Sequence, residues 1–221
     1  MPDDLHDPIT ILIADDEEFA RAGIRTLLSE ADDLQVIGEA KDGFEAQELV
    51  PKLRPKILLL DYQMPGPRAA ELEKWVRENY PDTLALVLTA HNRDEYLVKT
   101  IDSGIAGFLL KTENAKHLIN AIRRAAHGEV LFDPAQLARA ARWREEVKTK
   151  LDQITPRERE ILELLKQGLD NSAIAQQLNI TVKTVMYHLT SLFRKLQVKN
   201  RQEAAFWAAK YLSDNPEKYP S

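Results

Sequence analysis

The chain has 221 residues, 44% apolar and 29% charged, with a net charge of −5 and no cysteine. That composition excludes wholesale disorder, a disulfide framework and a thiolate metal site. Its apolar runs fall short of the roughly 18 residues of a membrane span, and the acidic start MPDDLHDP lacks the features of a secretion signal. A cytoplasmic protein is therefore expected, with no membrane partner. Charge is uneven along the chain: residues 1–130 carry nine more acids than bases, and residues 131–221 four more bases than acids. An acidic half joined to a mildly basic one predicts two domains with different partners, the basic one suited to polyanions.

Short β-rich runs at 9–14, 34–38, 56–60, 84–89 and 106–110 alternate with amphipathic stretches at 17–30, 43–53, 68–79, 93–102 and 114–127. Gly, Pro and Asp separate them, as at Asp42-Gly43 and Pro65-Gly66. Five strands alternating with five helices predict an α/β fold over residues 8–128, a doubly wound five-stranded parallel sheet. Runs such as ILLL at 57–60 are apolar throughout, as strands covered on both faces must be. Residues 129–150 read as a linker whose Ala and Arg content favours helix, with Trp143 as an anchor.

A small all-α domain of four helices is expected over 151–213, with a tail at 214–221. It opens at Thr155-Pro156-Arg157-Glu158, where Thr155 caps, Pro156 suits the first helical position and Glu158 completes a capping box. Gly168 stops that helix. A short helix to Leu178, a turn at Asn179-Ile180 and a fresh cap at Thr181 follow. Asn200 with Glu203 caps a last helix that ends near Tyr211.

In doubly wound sheets the functional crevice lies beyond the carboxyl ends of the strands. Asp15 and Asp16 follow the first strand, Asp61 the third, Thr89 ends the fourth and Lys111 the fifth. If the first and third strands are neighbours, three carboxylates share one crevice. At about 4 Å and an effective dielectric near 20, each like-charge pair costs roughly 4 kcal/mol. Such a cluster holds protons or binds a cation, and a few hard oxygen ligands suit Mg2+. An acid cluster, a hydroxyl and a lysine at one edge are the parts needed for phosphoryl transfer onto a carboxylate. Asp61 is the best nucleophile because it emerges from the most apolar, central strand. Taken singly, each residue also has a plain reading; Asp15 and Asp16 equally suit the start of a helix. It is their joint placement that carries the assignment.

IADD at 13–16, LLLDYQMPG at 58–66, VLTA at 87–90 and GFLLKT at 107–112 resemble the signature positions of the CheY-like receiver domain of two-component response regulators. The resemblance spans residues 8–127. It implies that Asp61 accepts a phosphoryl group from a sensor histidine kinase, and that Asp16, Asp15, Asp61 and the Gln63 backbone carbonyl hold Mg2+. It implies Thr89 and Lys111 as contacts to the phosphoryl oxygens. Phe108 matches the aromatic switch position that follows Thr89, though a plain core role suits it equally. A haloacid-dehalogenase-type phosphatase would place a second acid two residues after the nucleophile; Gln63 stands there instead, which argues against that enzyme class.

Spaced at 100° per residue, Val182, Val185, Leu189, Leu192, Phe193 and Leu196 share one face of the segment 181–196, with Met186 at its edge. Lys183, Tyr187, Thr190, Ser191 and Arg194 share the other, with Thr184 beside them. With the short helix before it, this makes a helix-turn-helix whose second helix suits the major groove. TPRERE, KTV-x-x-H and KL-x-V-x-N-R-x-EA within 154–205 closely resemble the LuxR-type helix-turn-helix. With the receiver in front, the chain resembles a NarL/FixJ-type response regulator, a transcriptional regulator and not an enzyme on outside substrates. The resemblance implies double-stranded DNA as partner, through Lys183, Thr184, Tyr187, Thr190 and Arg194, and a homodimer when phosphorylated. Ala204, Ala205, Trp207 and Ala208 are expected on an exposed face of the last helix, suited to a contact between copies; packing inside the domain is the other reading for Trp207. A DNA-binding protein indifferent to phosphorylation, and an adaptor that never touches DNA, are the competing functional classes.

Overall fold

A computed structural model describes residues 7–212, which fall into two compact units, one up to Ala140 and one from Ala141. The acidic start at 1–6 and the expected tail at 214–221 lie outside the described residues. Among the described residues no helix is long and apolar enough to cross a membrane.

In the first unit, strands β1 (Ile9–Ala14), β2 (Leu34–Ala40), β3 (Ile57–Leu60), β4 (Leu84–Thr89) and β5 (Phe108–Leu110) alternate with helices. The helices are α1 (Glu18–Leu28), α2 (Gly43–Leu53), α3 (Ala69–Asn79), α4 (Asp94–Ser103) and α5 (Ala115–Ala126). The sheet order is β2-β1-β3-β4-β5, and every pair is parallel. Ile11, Ile13, Ile57 and Leu59 pack against Leu28 of α1 and Ile122 of α5. Their alternates Leu12, Leu58 and Leu60 are just as buried, so helices cover both faces of the sheet. Each such side chain contributes about 1.5–3 kcal/mol of burial, which fixes the strands in register.

That register sets the heights of the strand ends. Ala14 is level with Leu60, so Asp15 and Asp61 leave the sheet side by side. Ladder bonds continue one residue further: the Asp61 N–H donates to the Ala14 carbonyl at 2.7 Å, and the Asp15 N–H to Ala40 at 3.0 Å. Thr89 is level with Leu110, and the Lys111 N–H donates to the Thr89 carbonyl at 2.8 Å. Beyond β3 the chain turns at Gly66, whose φ of +95° is one that L side chains rarely adopt. The Gly43 N–H donates to the Pro65 carbonyl at 2.9 Å, locking the start of α2 against this turn. After α5 the chain returns along β5, where the Leu131 N–H donates to the Ala106 carbonyl at 2.6 Å. Helix α6 (Pro134–Asp152) then begins. In its first turns Gln136 Nε2 donates to the Phe108 carbonyl at 3.0 Å, and Arg139 pairs with Asp94 at the start of α4.

The second unit holds α7 (Pro156–Lys166), α8 (Asn171–Gln177), α9 (Val182–Leu196) and α10 (Arg201–Tyr211). Side chains of Thr155, Asp170, Thr181 and Asn200 cap them in turn. Trp143 of α6 lies with its ring 5.6 Å from that of Tyr211.

Two expectations are corrected here. Ala204, Trp207 and Ala208 are not exposed; they belong to the core with Ile161, Leu165 and Leu192, and Phe206 is the exposed aromatic of α10. Alanines at 204 and 208 let α10 pack closely on α7, and Trp207 fills the space beside them. On α9 the buried stripe is Val185, Leu189, Leu192 and Leu196, a narrow 4-3-4 spacing. Val182 and Met186 therefore fall outside it, 41% and 55% exposed.

Glu158 ties the unit together from within. It is 2% exposed, accepts the Thr155 N–H at 2.8 Å and receives Lys195 Nζ at 2.6 Å. Burial alone would raise its carboxyl, but hydrogen bonds from Lys195, the Thr155 backbone and Ser191 outweigh it and hold the group at about 2. A carboxyl depressed on folding contributes stability that is present above its ordinary value of 4.5 and is lost as pH falls toward 2. Denaturant unfolding followed by circular dichroism will show this unit losing about 3 kcal/mol more between pH 6 and pH 2 in the wild type than in Glu158→Gln.

Candidate functional site

Carboxylate oxygens of Asp15, Asp16 and Asp61 all lie within 4.8 Å of one another beyond the ends of β1 and β3. Asp15 and Asp61 are buried and Asp16 is exposed, so the cluster opens to solvent on the Asp16 side. Lys111 Nζ stands 2.7 Å from Asp15 Oδ2 and 3.2 Å from Asp61 Oδ2, with Glu17 farther off at 3.8 Å. Backbone donors complete the frame: the Glu17 N–H reaches Asp15 Oδ1 at 2.9 Å, and the Gln63 N–H reaches Asp61 Oδ1 at 3.4 Å.

Burial pushes the Asp61 carboxyl above the usual carboxylate range, against the pull of Lys111, and neighbouring Asp15 pushes the same way. Burial lowers Lys111, but its contacts with Asp15 and Asp61 outweigh that and leave its ammonium more firmly protonated than an ordinary lysine. Three carboxylates thus face one close ammonium. The charge is unbalanced, and all the free ligand atoms are hard oxygens. Such a donor set is compatible with a divalent cation of the Mg2+ class, which takes one or two carboxylates and keeps several waters.

Thr89 is fully buried at the end of β4, and its Oγ1 accepts the His91 N–H at 3.2 Å. Phe108 is 1% exposed, level with Val87 across the β4–β5 ladder. The fold therefore brings Asp15, Asp16, Asp61 and Lys111 together and sets Thr89 and Phe108 on the strands beside them. Sequence reading missed a neighbouring contact. Tyr62, next to Asp61, stacks on Tyr96 of α4 with ring centroids 4.2 Å apart. No local pattern signals a ring pair 34 positions apart; only the packing of α4 beside the β3 loop makes it.

In the second unit, Lys183, Tyr187, Thr190 and Arg194 are exposed on α9, and Thr184 is half-buried. The Thr184 and Thr181 hydroxyls bond to each other at 2.8 Å, and the Thr190 hydroxyl donates to the Met186 carbonyl at 2.9 Å. Lys195 is turned inward to Glu158, which leaves Lys183 and Arg194 as the outward charges of this helix.

Residues 11–123 match the response regulator receiver domain, and residues 152–208 match the bacterial regulatory proteins of the luxR family. Over 205 residues the chain is 37% identical to the nitrate/nitrite response regulator protein NarL of Escherichia coli K12, covering 91% of this chain and 95% of that one. It is 32% identical over 200 residues to the response regulator protein VraR of Staphylococcus aureus Mu3, covering 90% and 96%. Among solved structures, the RcsB–DNA complex superposes with a TM-score of 0.65 at 26% identity, covering 92% of this chain and 98% of that one. RcsB from Salmonella enterica serovar Typhimurium, bound to promoter rprA with the phosphomimetic BeF3−, gives 0.62 at 26%, covering 90% and 99%.

The strained charge of Asp61 has a measurable signature. An acid raised on folding destabilises the fold above its folded value and ceases to do so as pH falls through it. With divalent cations chelated, Asp61→Asn will melt higher than wild type at pH 8 by scanning calorimetry. The gap will shrink toward pH 5.

Proposed function

Because the chain belongs to the two-component response regulators that join a receiver domain to a LuxR-type DNA-binding domain, we propose that Asp61 is its phosphoacceptor. Phosphorylation there switches dimerisation and promoter binding by residues 151–213. The protein regulates transcription; it is not an enzyme turning over an outside substrate. The observation that carries the site assignment is the convergence of Asp15, Asp16 and Asp61 within 4.8 Å, with Lys111 Nζ bridging two of them.

In this reading an Asp61 carboxylate oxygen attacks the phosphorus of a phosphohistidine on a sensor kinase. The O–P bond forms as the P–N bond breaks, and the imidazole leaves. Asp16, Asp15, Asp61 and the Gln63 backbone carbonyl would hold Mg2+, which supplies charge neutralisation for the transferring oxygens. Lys111 exchanges one of its carboxylate contacts for a phosphoryl oxygen, and the Thr89 hydroxyl donates to another. Thr89 and Phe108 are buried on neighbouring strands, with Phe108 level with Val87, so a hydroxyl drawn toward the phosphoryl group acts on the part of the sheet that carries the ring. The β5 backbone that carries the ring accepts Gln136 of α6, and Tyr62 stacks on α4, so the site has physical contact with the elements leading to the linker.

On the DNA side, Lys183 and Arg194 supply charge, with Thr184, Tyr187 and Thr190 between them. Two cations are few for phosphate binding, so a single copy binds weakly and two copies share a site. RcsB, a relative, is seen as two dimers bound to two parallel DNAs. A cytoplasmic location follows from partners of this kind.

Incubation with Mg2+ and acetyl phosphate will add one phosphoryl mass to the wild type and none to Asp61→Asn, by intact mass spectrometry. Lys111→Ala and Thr89→Ala will lower the phosphorylated fraction at fixed time. Gel-shift titrations will show at least tenfold tighter DNA binding for the phosphorylated chain. Equal affinity with and without the donor would remove the coupling, and a mass gain that survives Asp61→Asn would remove the site.

A further inference from the structure

Three large apolar side chains stand exposed within six positions of α9: Val182 at 41%, Met186 at 55% and Tyr187 at 74%. Scattered exposed apolar residues need no explanation, but Tyr187 shares the outward arc with Lys183 and Arg194, and Met186 and Val182 border it. The neighbouring hydroxyls are already engaged. Thr184 and Thr181 bond to each other, and Thr190 gives its proton to the Met186 carbonyl. Apart from the Tyr187 phenol, the surface beside the two cations therefore offers methyl and thioether groups and few free donors.

We infer that α9 reads thymine, through contact of the Met186 side chain with the 5-methyl group in the major groove. Val182 extends the same apolar surface one turn toward the helix N-terminus. This rests on the DNA-binding reading above and deepens it. Of the four bases, only thymine presents a methyl group in that groove, and apolar side chains recognise it by burial. Val182 and Met186 are four residues apart, about 6 Å along the axis, close to two base steps of about 3.4 Å. Lys183, one position after Val182, and Arg194, eight positions after Met186, supply charge for phosphates near such a step, so charge positions the helix and the apolar pair specifies the base. A guanine in the same place would present only acceptors to Met186, which has no donor to meet them.

The test uses the full-length chain phosphorylated with acetyl phosphate. Duplexes are first selected from a random pool, and each thymine of the winner is then replaced singly by deoxyuridine, which differs only in the missing methyl. Wild type will bind about fourfold more weakly at one or more thymines in each half-site, the equivalent of ~0.8 kcal/mol for one buried methyl-sized group. Met186→Ala will bind the thymine duplex more weakly and will not distinguish it from the uracil duplex at that position. Met186→Lys will also lose the distinction, while its log–log salt slope steepens by about one. Both substitutions are at an exposed position, and matched circular dichroism spectra will establish folding. Selected duplexes that show no uracil effect, or an undiminished effect in Met186→Ala, overturn the methyl contact alone. A selection that enriches no duplex overturns it together with the DNA-binding reading.

Discussion

The site depends on one ammonium group shared between two buried carboxylates. Lys111 Nζ lies within hydrogen-bond distance of both the Asp15 and the Asp61 carboxylates, while Arg21 holds the backbone carbonyl of Asp15. Removing that ammonium would leave two buried carboxylates uncompensated, at a typical cost of about 3–5 kcal/mol, whereas neutralising Asp61 leaves Lys111 paired with Asp15. Yet a single positive charge does not balance three negative ones, so Asp61 remains held above its ordinary range. The pocket is stable enough to exist and unbalanced enough to accept more positive charge. In the phosphoacceptor reading proposed above, that combination favours an incoming cation more than an internally neutral site would.

The imbalance is sustained by elements far from it. Strands β1 and β3 are buried on both faces, so their ends cannot slide to separate the carboxylates without exposing leucine and isoleucine side chains to water. A slip of one residue would also turn every side chain to the opposite face. The ladder bonds from Asp15, Asp61 and Lys111 hold the backbones of these three residues. In the second unit, Glu158 plays a comparable part as a buried charge with several donors. There the balance is closed, and its carboxyl lies well below the ordinary range where that of Asp61 lies above it.

Most of the sheet and its acidic edge could be read from residue order alone, because strand ends in a doubly wound fold are where function is placed. The continuous run Ile57–Leu60 identified the central strand, and the residue after it identified the acid. What could not be read were contacts between segments distant in sequence. The Tyr62–Tyr96 stack and the Lys195–Glu158 pair depend on how helices sit beside strands or on one another, and leave no periodic trace. Helix faces were legible only to within one position. The wheel placed Val182 with the buried residues and Met186 at their edge, but a 4-3-4 stripe is narrower than the arc drawn from hydrophobicity. For α10 the small residues and Trp207 suggested an exposed contact face, and packing on α7 buries Ala204, Trp207 and Ala208 instead.

The return of the chain at Leu131 bears on how the sheet ends. Strand β5 is only three residues long and is the last in the sheet order, so its outer side would otherwise present unpaired amides and carbonyls. The bond from Gln136 occupies the Phe108 carbonyl of that strand, and the bond from Leu131 occupies the Ala106 carbonyl just before it, both from the chain's own continuation. An open strand edge is a template for another chain, and proteins that leave one uncovered tend to polymerise through it. Here the segment leading away from the receiver doubles as its selvage. Whatever loosens that segment also exposes these two carbonyls, which adds to the scope for edge-to-edge association in a long-lived opened form.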